Sequence, residues 1–391
     1  MEVPPRAAPA NRWPLVATIS SMALLLPTGF AAAQAVLDRA RADTEGVYHL
    51  PAFSVPPSQL ASPEARAAAV EVARRVAAMP VTENPLNTSS LRKILEIRTA
   101  ADAGRKRIVE EMRKTYAVTL EQQTIGGVPV DVVTPTAGVS SRNRNRVLIN
   151  LHGGGMIFGS RYEGLVASIP IAATARMKVI TVDYRMAPEH SFPAASEDVA
   201  KVYAQILKAY RPTEVGIYGC SAGAALTAQS VAWFLAHGLP VPGAISLDGG
   251  GAVWSPGGDS AYLAGGFMSG IPRYPESKST SPAALEVYWG DADTRQALIS
   301  PALHDGVIRR FPPTLVLNST RDTALSSAVF THSRLVATGA RAELHVWEGV
   351  QHCFSYDPSL PESREAYAVV SDFFDRHLST ARETRHRVVP R

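Results

Sequence analysis

Residues Gly219, Cys220, Ser221, Ala222 and Gly223 constrain this chain more than any other stretch. They form a G-x-S-x-G pentapeptide between an apolar run, Glu214 to Tyr218, and an Ala-rich segment, Ala222 to His237. The run predicts a buried strand and the segment predicts a helix. A strand that turns at once into a helix through such a serine builds a nucleophile elbow, which lifts the hydroxyl above the sheet edge. The flanking glycines are needed because the turn leaves no room for Cβ atoms. The Ala222 N–H then stands at a helix N-terminus, where it can face a developing oxyanion. In a chain rich in Gly and Ala the pentapeptide alone is weak, and its context gives it weight.

That context is an alternation of strands and helices. Val118 to Thr124 and Val128 to Thr134, joined across Gly126 and Gly127, alternate like a hairpin. Apolar strands follow at Val147–Leu151, Lys178–Asp183, Ala244–Asp248, Thr314–Asn318 and Glu343–Trp347. Helical patterns lie at Ala194–Tyr210, Ser326–Thr338 and Ser363–His377. Near-continuous apolar strands interleaved with helices predict a mostly parallel sheet covered on both faces. Upstream, residues 36–113 are rich in Ala, Arg and Glu, with helical patterns at Ser62–Met79 and Ser90–Thr115 and prolines between them. They read as a helical N-terminal cap. The catalytic domain is expected over 114–380, and its Gly/Ser/Pro-rich stretch at about 249–282 reads as an insertion covering the site. Residues 381–391 form a basic tail.

Residues 1–35 read as an export signal. Arg6 and Arg12 precede the apolar run Leu15–Leu26, and Ala31–Ala33 and Ala33–Ala35 are small-x-small cleavage sites. The run is short for a bilayer span, so export to the periplasm or beyond is expected, with an uncleaved membrane anchor as the alternative. The net charge of +4 is partly terminal, and no basic stripe carries interleaved aromatics, which argues against a nucleic-acid partner.

Three further sites carry chemistry. His152 to Gly155 follow the first buried strand, and a glycine run there lets backbone N–H groups close on a ligand. With Ala222 it would form an oxyanion hole. In hydrolases of this type the order is serine, acid, histidine. Asp322 follows the strand at 314–318 and His352 follows the next, so both stand at strand C-terminal ends, where open α/β sheets place their sites. Asp322 also suits a helix-capping role. Asp291 and Asp293 are rival acids, while His190, His304, His332 and His345 read as structural or surface groups. No spacing of metal ligands such as H-E-x-x-H occurs, so no metal or cofactor is expected. The two cysteines, Cys220 and Cys353, flank the serine and the histidine. They are either small buried hydrophobes or a disulfide tying the two loops together.

Asp183 to His190, followed by Phe192, Pro193 and Ala194, reads as support for the glycine loop, with Arg185 and Glu189 placed to pair. Taken with the His-Gly-Gly-Gly run and the elbow, this string resembles the hormone-sensitive-lipase family of α/β-hydrolases, over roughly Val147 to Asp375. The resemblance implies the α/β-hydrolase fold. It also implies Ser221 as nucleophile, Asp322 as acid, His352 as base, and Gly154, Gly155 and Ala222 as oxyanion donors hinged at Gly153. Residues 288–293, 300–301 and 342–348 resemble the bacterial esterase branch. Three positions depart from the family pattern. Cys220 stands where an Asp is usual, which removes an acceptor beneath the histidine loop, and Cys353 replaces a small Gly. The chain also has Ala224 where the family has Gly.

The expected activity is serine carboxylic-ester hydrolysis through an acyl-enzyme, on short- to medium-chain, aryl or lactone esters. Met156, Ile157, Phe158 and Trp289 suggest an apolar substrate pocket, and each also suits a core. An amidase or acyltransferase using the same three groups is the alternative. A non-catalytic small-molecule binding protein on this fold is a third reading, disfavoured because both Ser221 and His352 are retained.

Overall fold

The computed structural model describes residues 41–50, 53–78, 88–254, 258–265, 267 and 286–379. The expected export signal and basic tail lie outside these residues, as do Met79 and most of the expected insertion. Residues up to Val55 form a unit of their own. Its described part is a short antiparallel pair, β1 (Arg41–Ala42) and β2 (Tyr48–His49).

The larger unit is built on an eight-stranded sheet. Its strands are β3 (Val118–Ile125), β4 (Val128–Pro135), β5 (Val147–Leu151), β6 (Lys178–Val182), β7 (Val215–Cys220), β8 (Ala244–Asp248), β9 (Thr314–Ser319) and β10 (Ala342–Trp347). They lie in the order β10-β9-β8-β7-β5-β6-β4-β3. β4 pairs antiparallel with β3 and β6, and every other neighbour is parallel. Gly126 and Gly127 both have positive φ, the conformation a two-residue hairpin turn requires between β3 and β4. All residues of β5, β7 and β9 are buried, because helices cover both faces of the sheet there.

The helices described in full are α1 (Pro63–Ala77), α2 (Leu91–Thr115), α3 (Arg161–Ala175), α4 (Ala194–Ile206), α5 (Ala222–Ala236), α6 (Asp259–Leu263), α7 (Asp305–Ile308), α8 (Leu325–Ala337) and α9 (Pro361–His377). Ser62 caps α1, accepting from the Ala65 N–H at 3.0 Å, and is held in turn by Glu362 of α9. Helix α3 is the one long element that the sequence pattern does not announce. Gly164 and Pro170 interrupt its periodicity, yet a side chain at Gly164 would meet Thr181 Oγ1 at 2.2 Å, so the helix packs on β6 through that glycine. No helix among the described residues is long and apolar enough to cross a membrane.

Candidate active site

The site gathers at the C-terminal ends of the central strands, where the topology brings loops after β5, β7, β8, β9 and β10 together. Ser221 links β7 to α5 with φ 59° and ψ −122°, a strained backbone for a non-glycine residue. Gly223 makes that turn possible: a Cβ there would lie 1.9 Å from the Leu151 carbonyl oxygen. The chain therefore crosses directly over the end of β5, beside the glycine loop.

Ser221, His352 and Asp322 meet in one hydrogen-bonded chain. Ser221 Oγ lies 2.8 Å from His352 Nε2, and His352 Nδ1 lies 2.8 Å from Asp322 Oδ2. Asp322 is 1% exposed and His352 is 20% exposed on its side chain, so the acid is sealed while the ring reaches the surface. Asp322 also accepts the Ala324 N–H through Oδ1 at 2.8 Å, so one carboxylate both orients the ring and caps the approach to α8. The rivals Asp291 and Asp293 are exposed.

The glycine loop abuts the serine. A Cβ on Gly153 would fall 3.4 Å from Ser221 Cβ and 3.0 Å from the Cys220 carbonyl. Among the described residues, the N–H groups of Gly154, Gly155 and Ala222 have no hydrogen-bond acceptor. The loop is held from below. Tyr184 donates to the His152 carbonyl at 2.7 Å and stacks on its ring, and the Ala187 N–H donates to Met156 O. The segment at 183–190 thus supports the loop, but not through the expected Arg185–Glu189 pair. Arg185 binds Asp198 and Glu197 of α4, while Glu189 turns the other way to Arg98 of α2. A four-residue spacing brings side chains together on a helix, and this segment is not helical.

Burial shapes the local charges. It pushes His152 down to about 4, so its ring stays neutral. Burial also opposes charge on His352, but Asp322, with Asp248 and Glu163 beyond it, outweighs that and holds the ring above its ordinary value. Burial raises Asp248 to about 6, and it raises Glu163 against the opposing Arg105 guanidinium.

Of the residues expected to line a substrate pocket, Met156 and Ile157 are fully buried in the main core. Trp289 packs against Phe192, Trp254 and Tyr288, and Phe158 is half-buried at the core's edge. Met156 and Ile157, directly after the glycine loop, thus anchor its exit in the core. Gly249, where the expected insertion begins, stands at the site itself. It leaves β8 with φ 56° directly against the site, where a Cβ would lie 3.2 Å from both His352 Nδ1 and Asp322 Oδ2. No local motif marks it. The cysteines form a disulfide, Cys220–Cys353, with Cα atoms 6.2 Å apart.

A family model described as the alpha/beta hydrolase fold matches residues 148–356. An acetyl-hydrolase of Streptomyces hygroscopicus is 29% identical over 253 residues, covering 64% of this chain and 80% of that protein. Among solved structures, esterase E25 superposes with a TM-score of 0.75 at 30% identity, covering 85% of this chain and 99% of that one. An esterase from the bacterial hormone-sensitive lipase family superposes with a TM-score of 0.65 at 25% identity, covering 81% and 99%.

Proposed function

The chain belongs to the α/β-hydrolase family, among carboxylesterase-like hydrolases of the hormone-sensitive-lipase type, and on that premise we propose that it cleaves esters through an acyl-serine at Ser221. The observation that carries this reading is the unbroken chain Ser221–His352–Asp322, 2.8 Å at each link, set against a loop of unpaired N–H groups. Ser221 Oγ attacks the ester carbonyl and its proton passes to His352 Nε2. Asp322 accepts from Nδ1–H and steadies the imidazolium. The carbonyl oxygen, now negative, is received by the N–H groups of Gly154, Gly155 and Ala222. The intermediate collapses, His352 returns the proton to the departing alcohol, and a water deprotonated by His352 releases the acid.

The acyl group is read as short or medium, or the substrate as an aryl ester or lactone, in keeping with the acetyl-hydrolase and esterase names of the relatives. Hydrolysis of a p-nitrophenyl ester series from acetate to palmitate tests this. The wild type should be most active on the short members, and Ser221→Ala should lower kcat by about 10⁴-fold or more with the fold intact. Hydrolysis undiminished in that variant overturns the reading.

A further inference from the structure

The family's usual acid before the nucleophile is missing here, yet the space beneath the histidine loop is not without a carboxylate. Asp248 ends β8, and the sheet register places it directly beside Cys220 at the end of β7. Its carbonyl accepts the Ser221 N–H at 2.8 Å, which fixes the two strand ends at the nucleophile. Its side chain turns to the other loop: Ser355 Oγ donates to Asp248 Oδ2 at 2.6 Å. Ser355 lies three residues after His352, and its own carbonyl is held by Tyr367 Oη at 2.5 Å. Asp248 Oδ1 is sealed from solvent with no hydrogen-bond partner among the described residues. A small cavity of about 30 Å³ behind the elbow is lined by Cys220, Asp248, Ser355, Tyr356 and Tyr367. Asp248 therefore lies behind the site, linked to the histidine loop through Ser355.

We propose that Asp248 is a positioning residue for the ester cleavage assigned above, supplying from the neighbouring strand the carboxylate absent at position 220. It holds the histidine loop through Ser355 and sets a second negative charge behind His352. The inference rests on the reading of Ser221 and His352 as the reacting pair. In that reaction His352 becomes an imidazolium, so a nearby carboxylate lowers the energy of the transition state. The groups that share this field are Asp322 after β9, His352 after β10, Glu163 on α3, Tyr356 beside the histidine loop and Tyr367 on α9. Burial raises Asp248, so its charge costs folding free energy above the ordinary carboxylate range.

The test is the pH dependence of kcat on a short p-nitrophenyl ester for the wild type, Asp248→Asn and Ser355→Ala, with Ser221→Ala as control. Asparagine keeps an acceptor for Ser355 and removes the charge. Asp248→Asn should lower kcat about tenfold and move the acid limb to lower pH by about half a unit, because His352 loses a stabilising charge. Its melting temperature at pH 8 should equal or exceed the wild type's. Ser355→Ala should shift the limb the same way by less, since Asp248 then loses a donor and protonates more readily. An unmoved limb in Asp248→Asn, or a rate loss matched by lost stability, overturns the proposal while wild-type hydrolysis dependent on Ser221 stands. Should Asp248→Asn not fold, an unmoved limb in Ser355→Ala overturns it. Absence of Ser221-dependent hydrolysis in the wild type overturns both readings.

Discussion

Three glycines around Ser221 and His352 are required by crowding. Gly223 clears the Leu151 carbonyl, Gly153 clears Ser221, and Gly249 clears the histidine–aspartate pair. Cys220 and Cys353 complete this enclosure by a covalent link across 133 residues of chain. In the chain-entropy picture a bridge closing so long a loop restricts the unfolded ensemble strongly, and native bridges typically contribute about 2–4 kcal/mol. The unfolded, unreduced protein should accordingly show no free thiol in a dithionitrobenzoate titration, and two after reduction. Reduction should lower stability to urea by about 2–4 kcal/mol. Two thiols before reduction would refute the bridge. Position 220 was legible as a departure from the family pattern, but Asp248 was not, because no local pattern joins an acid at one strand end to a serine 107 residues on.

At the level of elements, α2 explains how the cap bears on the site. Arg98, Asp102 and Arg105 fall at i, i+4 and i+7, on one helical face. Arg98 donates to Ile157 O at 2.8 Å, Asp102 accepts from Ser160 Oγ at 2.7 Å, and Arg105 pairs with Glu163. All three contacts reach the stretch that follows the glycine loop, so α2 clamps the exit of that loop. The helical character of 91–115 was plain in the sequence, but its partners were not, since the contacts span 58 and 59 residues. Glu163 is buried and Arg105 is partly exposed, so the pair is unequal. Arg105→Ala strands a buried carboxylate and should cost up to about 3 kcal/mol in urea unfolding. Glu163→Gln removes the charge at the buried end and should cost clearly less. Equal losses in the two variants would show that the burial of Glu163 does not decide the energetics.

Over the whole molecule, the parallel sheet collects ionisable groups at one edge and buries them to different degrees. The strands and most of the helices followed from periodicity and turn residues, because those signals are local, whereas the strand order rests on pairings between distant segments and did not. The electrostatic result is collective. His152 is held neutral down to about 4, below its ordinary value, so the unfolded chain binds a proton that the folded chain refuses as pH falls from 6.5 toward 4. This contribution to stability is full above pH 6.5 and is lost on acidification, amounting to about 3 kcal/mol. Asp248 and Asp183, both raised to about 6 chiefly by burial, act in the opposite sense: the folded state takes up their protons first, so acidification favours it. The wild type should therefore show a flatter stability profile between pH 4.5 and 8 than either kind of group alone would impose. His152→Gln removes one side of this balance and leaves the carboxylates in place. Its stability relative to the wild type, from urea unfolding, should improve by about 2 kcal/mol between pH 8 and pH 4.5, whatever the absolute cost of the substitution. A relative stability that stays constant with pH would mean that His152 is not held neutral by its burial, and that the balance of buried charges lies elsewhere.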